Sequence, residues 1–170
     1  MSGRLSETFA IPCVGAIIAR EVGGVRCLLI QERRKPGAGI ENGMLEVAAG
    51  KVREYENVFD ALRREVAEET GLRLTRIEGE DTAITRTVNG YTVMSYTPFC
   101  ITQNLSGGYS IILHSFLCEA EGEPLTQTDE TRNLRWMPLA ECHQRLQNRP
   151  EDFYPLHINA LSLYLGQEKP

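Results

Sequence analysis

Residues 57–70, NVFDALRREVAEET, constrain the fold more tightly than any other stretch of the chain. At about 100° per residue, Val58, Leu62 and Val66 line up as one apolar stripe, with Ala61 at its border. Asn57 is suited to cap the start, and Gly71 to stop the last turn. Glu65 and Glu69 fall inside the apolar arc and Glu68 lies on its edge. Carboxylates on the inward side of a helix are costly unless something compensates them. Three of them at i, i+3 and i+4 also repel one another. A divalent cation answers both problems, and clustered hard oxygen donors suit Mg²⁺ or Mn²⁺. Taken alone, however, REVAEE fits a solvated helix face equally well.

The neighbouring residues predict what this helix packs on. Apolar runs over 11–19 and 25–31, separated by Gly23-Gly24, read as paired strands. A Gly-rich charged loop follows over 32–43, then a short apolar run over 45–49 that ends at Gly50. Further strands are expected over 72–77, 82–87, 91–101, 110–119 and 133–137, with Asn89-Gly90 as a hairpin turn. Segments 138–146 and 156–165 read as helices, their prolines favouring the starts. Strands on both sides of a central helix, with more helix at the end, indicate an α/β domain around a mixed sheet. At 170 residues the chain has room for one such domain, over 1–170.

Composition narrows the class of partner. The formal net charge of −5 disfavours non-specific binding to nucleic acid. An anionic ligand must therefore be met by local Arg or Lys, or by bound cations. No stretch approaches the roughly 20 apolar residues needed to cross a bilayer, and residues 11–19 lack the features of a secretory signal. Five scattered cysteines, none in a CxxC pair, suit reduced thiols in a cytoplasmic protein and argue against a disulfide framework or a zinc site. Cys13, Cys27 and Cys118 sit within apolar runs and are expected in the core.

A longer spacing decides between the readings of the helix. From Gly50 to Leu72 the chain runs GKVREYENVFDALRREVAEETGL. Gly50, Glu56, Arg64, Glu65, Glu68, Glu69 and Gly71, with aliphatic Val66 and Leu72, fill every position of a pattern that resembles the Nudix box. A random window of ordinary composition would match on the order of once in 10⁹. The resemblance implies an α/β/α sandwich with a central mixed sheet and a hydrolase acting on phosphoanhydride bonds. It implies that Gly50 offers its carbonyl oxygen to Mg²⁺, for which Mn²⁺ can substitute, and that Glu68 and Glu69 are the principal ligands. Glu65 is then either a further ligand or the base for the attacking water, and Arg64 orients it. Glu56 caps the corner into the helix and reaches a second metal through water. Glu130, in the segment TQTDETRNLRW, is the choice for an additional acidic catalytic group, with Asp129 and Glu121 as rivals.

The substrate implied is a small nucleotide, not a polymer. LEVAAGKV resembles the E-L-P-A-G-K stretch of ADP-ribose and nucleotide-sugar pyrophosphatases, with Ala48 in place of proline. Arg33 and Arg34, with Lys35 beside them, are candidates for the distal phosphate or the ribose. A nucleoside-triphosphate pyrophosphatase is the alternative within the same chemistry. A nucleotide sensor of the same fold without activity is the alternative outside it, although here all the box glutamates are present. Isopentenyl-diphosphate isomerase needs a cysteine that is missing between Cys27 and Gly50. Related proteins are often homodimers, and that is the expected state.

Overall fold

The computed structural model describes residues 7–34, 37 and 39–167. In chain order the strands and helices are β1 (Ile11–Val22), β2 (Val25–Arg33), β3 (Leu45–Glu46), β4 (Ala49–Lys51), α1 (Val58–Thr70), β5 (Arg73–Ile77), β6 (Ile84–Val88) and β7 (Tyr91–Ser95). They continue with β8 (Cys100–Gln103), β9 (Ile111–Glu121), β10 (Thr131–Pro138), α2 (Leu139–Asn148) and α3 (Pro155–Gln167). The main sheet has the order β10-β2-β1-β9-β5, with β3 added to β2, β4 to β1 and β8 to β9. β1 and β9 run parallel, and the other pairings are antiparallel, so the sheet is mixed as expected.

Alternation along β1 builds the two cores. Val14, Ala16 and Ile18 face α1, where they join Phe59, Leu62, Val66, Leu72 and Phe116. Ile17, on the opposite face, joins Leu28, Ile30 and Met137 with Cys142 and Leu146 of α2 and Leu161 and Tyr164 of α3. Helices thus cover both faces of the sheet, the layered arrangement that buries a parallel pair at its centre. Cys13, Cys27 and Cys118 are buried, as is Cys142.

Three expectations change in detail. Residues 91–101 do not form one strand: β7 ends at Ser95 and β8 begins at Cys100. Pro98 between them has no N–H for a ladder and restrains Thr97 before it. The result is that β6 and β7 stand apart as a separate two-stranded hairpin. Residues 45–51 also divide, with β3 pairing on β2 and β4 crossing to pair on β1. That crossing sets Gly50 opposite Val14 in the middle of the sheet. Finally, β2 runs to Arg33, which makes this arginine the end of a strand and not part of the following loop.

Candidate functional site

The ends of α1 fix how its side chains face the sheet. Asn57 is extended and its side chain accepts from the Phe59 N–H at 2.9 Å. Gly71 turns left-handed at φ 74° and returns its N–H to the Ala67 carbonyl. Between these caps Glu69 is buried, Glu65 is half-buried and Glu68 is exposed, the gradation that the helical spacing predicts.

A cleft of about 570 Å³ opens beside this helix. One wall carries Gly50, Lys51, Arg53, Arg64, Glu65, Glu68 and Glu130. Arg64 is its hub. Its Nε and Nη2 donate to the two oxygens of Glu56, each at 2.8 Å, and its Nη1 donates to Glu65 Oε1 at 2.5 Å and Glu68 Oε2 at 3.4 Å. This arrangement raises the affinity of Arg64 for its proton, chiefly through Glu56. In turn, the Arg64 guanidinium and then the Arg53 N–H hold the Glu56 carboxyl down to about 2. Gly50 is required by packing: a Cβ there would lie 1.9 Å from the Glu65 carboxyl carbon. Among the described residues, no three Asp, Glu, His or Cys side chains converge tightly enough to hold an ion, and Arg64 sits among the carboxylates instead.

Glu69 lies behind that wall, 5% exposed. Its Oε2 accepts from Gln31 Nε2 at 2.8 Å and from the Ala49 N–H at 3.1 Å. Its main-chain oxygen accepts from Thr131 Oγ1 at 3.2 Å. Thr131 and Thr128 share a hydroxyl contact of 2.8 Å, and the Glu130 N–H donates to Thr128 Oγ1 at 3.3 Å. Through these threonines the Glu130 loop is fastened to the C-terminal turn of α1.

Another part of the lining has a different make-up. Arg33 is buried, donates to Glu46 Oε2 at 3.0 Å, lies 3.3 Å from Glu41, and stacks 4.3 Å over the Tyr154 ring. Burial opposes its charge, but Glu46, Tyr154 and Glu41 outweigh burial and raise its pKa. His157 follows, with its ring 5.6 Å from Tyr154. Burial, reinforced by Arg33, pushes its imidazole down to about 3, so it is neutral at pH 7. Its Nδ1 has no hydrogen-bond partner among the described residues. Cys13, Ile111, Leu113 and Leu156 complete an apolar lining.

The fold therefore gathers Gly50, Arg64, Glu65, Glu68, Glu130 and Arg33 around one cleft. Glu56 is joined to them through Arg64, and Glu69 lies just beneath. Arg34 is exposed and absent from the lining, and its N–H donates to the Glu130 carbonyl at 2.7 Å. Lys35 lies outside the described residues. His114 takes part in a 2.7 Å hydrogen bond with Tyr96 Oη. Glu46, Tyr154, His157 and Gln31 were not singled out as site residues by sequence. A signal existed for two of them: Gln31 and Glu46 are polar residues inside the apolar runs CLLIQ and LEVAA.

Comparison with known proteins agrees with this geometry. Three solved structures share the fold at low identity. A MutT NUDIX hydrolase from Burkholderia pseudomallei is 23% identical, with a TM-score of 0.63 over 95% of this chain and 100% of that one. The NUDIX domain of NrtR from Shewanella oneidensis, solved with ADP ribose, is 14% identical, with a TM-score of 0.59 over 84% of this chain and 82% of that one. The E. coli ORF135 protein is 24% identical, with a TM-score of 0.58 over 96% and 94%. At these identities the likeness establishes the fold alone. The sequence itself matches the NUDIX domain family over residues 10–157. With that match spanning both walls of the cleft, the chain belongs to the NUDIX family of pyrophosphohydrolases.

Proposed function

We propose that the chain hydrolyses a phosphoanhydride bond in a nucleoside diphosphate joined to a further group, with ADP-ribose or a nucleotide sugar as the favoured substrate. The observation that carries this is the cleft itself, whose lining combines box carboxylates with apolar and aromatic side chains. Its volume of about 570 Å³ falls within the range of small-molecule sites. The preference for ADP-ribose or a nucleotide sugar rests on the likeness of LEVAAGKV to the corresponding stretch of those enzymes.

By the chemistry of the donor set, and not by convergence on one point, the residues present fit a divalent cation. Carboxylates and a main-chain carbonyl are the hard oxygen donors that Mg²⁺ or Mn²⁺ takes. The Gly50 position, where a side chain would collide with Glu65, keeps that carbonyl approachable. Gly50, Glu68 and Glu69 would hold the ion, with Glu65 and Glu56 as further ligands. When bound, it supplies the positive charge that acidifies a water molecule and offsets the phosphate oxygens. Arg64 holds Glu65 and Glu56 in place through charge-assisted hydrogen bonds. Either Glu65 or Glu130 takes the proton of the attacking water. The oxygen of that water joins one phosphorus, and the bridging oxygen leaves with the other group. Arg33, with Arg34 nearby, bears on the substrate from its own part of the lining.

We further take residues 1–170 as one domain. The chain is assigned to the cytoplasm on its cysteines, none of which is paired. No helix among the described residues is long and apolar enough to cross a membrane. A homodimer is proposed as the working state, to be checked by light scattering coupled to gel filtration.

The deciding experiment incubates the protein with Mg²⁺ and a panel of nucleotide sugars, ADP-ribose, dinucleoside polyphosphates and nucleoside triphosphates, identifying products by mass. The expected product is a nucleoside monophosphate from ADP-ribose or a nucleotide sugar. Pyrophosphate released only from triphosphates would favour the triphosphatase alternative. Tight binding of ADP-ribose without turnover of any compound would favour the sensor.

A further inference from the structure

Gln31 closes the buried run Leu28, Leu29, Ile30 on β2 and is itself only 1% exposed. An aliphatic side chain would be the easy choice in such a run. An amide is not, because each buried polar atom must find a partner, and one that does not has lost its hydration without compensation. Gln31 Oε1 has no partner among the described residues. The other end of the amide is engaged, with Nε2 donating to Glu69 Oε2 at 2.8 Å. The orientation of the amide follows from this contact, since a flipped group would set Oε1 against the same carboxylate oxygen.

The Ala49 N–H, at the start of β4, donates to that same Oε2. Two donors from two strands therefore meet on one oxygen of a buried carboxylate. Thr131 holds the Glu69 main chain independently. We infer that Gln31 is a positioning residue for Glu69: it orients a carboxylate assigned to the divalent cation, and the orphaned Oε1 is tolerated for the sake of the donor at the other end. This rests on the metal-dependent reading given under Proposed function.

The test measures Mn²⁺ binding by calorimetry and electron paramagnetic resonance on the intact protein without substrate. Wild type, Glu69→Gln, Gln31→Leu and Gln31→Met are compared, with thermal unfolding recorded for each. Losing a hydrogen bond to a metal ligand typically weakens metal affinity about 10–100-fold. Wild type is expected to bind Mn²⁺, Glu69→Gln to lose it, and both Gln31 variants to bind 10–100-fold more weakly while unfolding cooperatively. If Gln31→Leu does not fold, Gln31→Met, which keeps the length and lacks the donor, decides the same point. A folded Gln31 variant with wild-type Mn²⁺ affinity, beside a Glu69→Gln variant that has lost it, would overturn the inference and leave the metal reading intact. Absence of Mn²⁺ binding in wild type would instead overturn the metal reading, and the inference with it.

Discussion

Two parts of the cleft each centre on an arginine outnumbered by carboxylates, yet they differ in how far the charges are enclosed. On the box wall, Arg64 faces three carboxylates, Glu56, Glu65 and Glu68, with partly exposed side chains, so the cluster carries surplus negative charge. In the other part, Arg33 is enclosed between Glu46, Glu41 and the Tyr154 ring beside a neutral His157. A surplus of acid at a cleft surface is useful to a protein that must attract cations. The Arg33 cluster, one arginine against two carboxylates, has a smaller surplus and is more enclosed, so besides facing the cleft it holds this part of the lining in shape. Breaking such a buried pair is expensive, because the remaining charge has lost its compensation.

The largest separation between the walls is expected from Glu69→Gln. On the proposed mechanism it removes a metal ligand and lowers turnover by orders of magnitude, while the circular-dichroism spectrum stays that of wild type. Undiminished turnover in a folded Glu69→Gln protein would refute the assignment of the box wall. Next comes Gly50→Ala, whose Cβ must displace the Glu65 carboxyl. Misplacement of about 1 Å at a reacting centre can cost roughly 10²-fold, so kcat should fall by about that factor with little change in the urea midpoint.

Arg33→Met tests the other wall and should show the reverse pattern. Its loss leaves Glu46 and Glu41 without this cation, and destabilisation of about 3 kcal/mol is expected from urea unfolding. Stability equal to wild type would mean that the other wall is no more than a surface ion pair. The smallest effect concerns pH. The depressed His157 pKa means that the unfolded chain binds a proton below about 6.5 that the folded one refuses until about 3. Stability from His157 is therefore fully present above pH 6.5 and declines as pH falls from there towards 3. Glu56, depressed from 4.5 to about 2, contributes stability that is present above pH 4.5 and lost as pH drops towards 2. Unfolding of His157→Phe and Glu56→Gln across pH 3–7 should separate these windows. Identical pH profiles for the two variants would merge the walls into one titrating unit.

What could be read in advance follows from the range of each interaction. Glu65, Glu68 and Glu69 are spaced within one helix, so a periodicity of about 3.6 residues places them relative to Leu62 and Val66 without any knowledge of the rest. Asn57 and Gly71 act on their own helix ends in the same way. Arg33 lines the cleft from the end of β2, and its engagement by Glu46 was not legible, because the approach depends on β3 pairing with β2. Pro98 stands inside the run 91–101, and only the different partners of β7 and β8 show that it divides two strands.

By itself, then, the amino-acid order determined the capped helix, its acidic inner face and the mixed α/β class, since each arises from neighbours a few positions apart. Tertiary structure alone decided that Gly50 lies against Glu65, that Gln31 grips Glu69, and that Tyr154 and His157 close the cleft. Those contacts arise where strands register and helices dock, and the side chains concerned carry no local pattern that announces their partners.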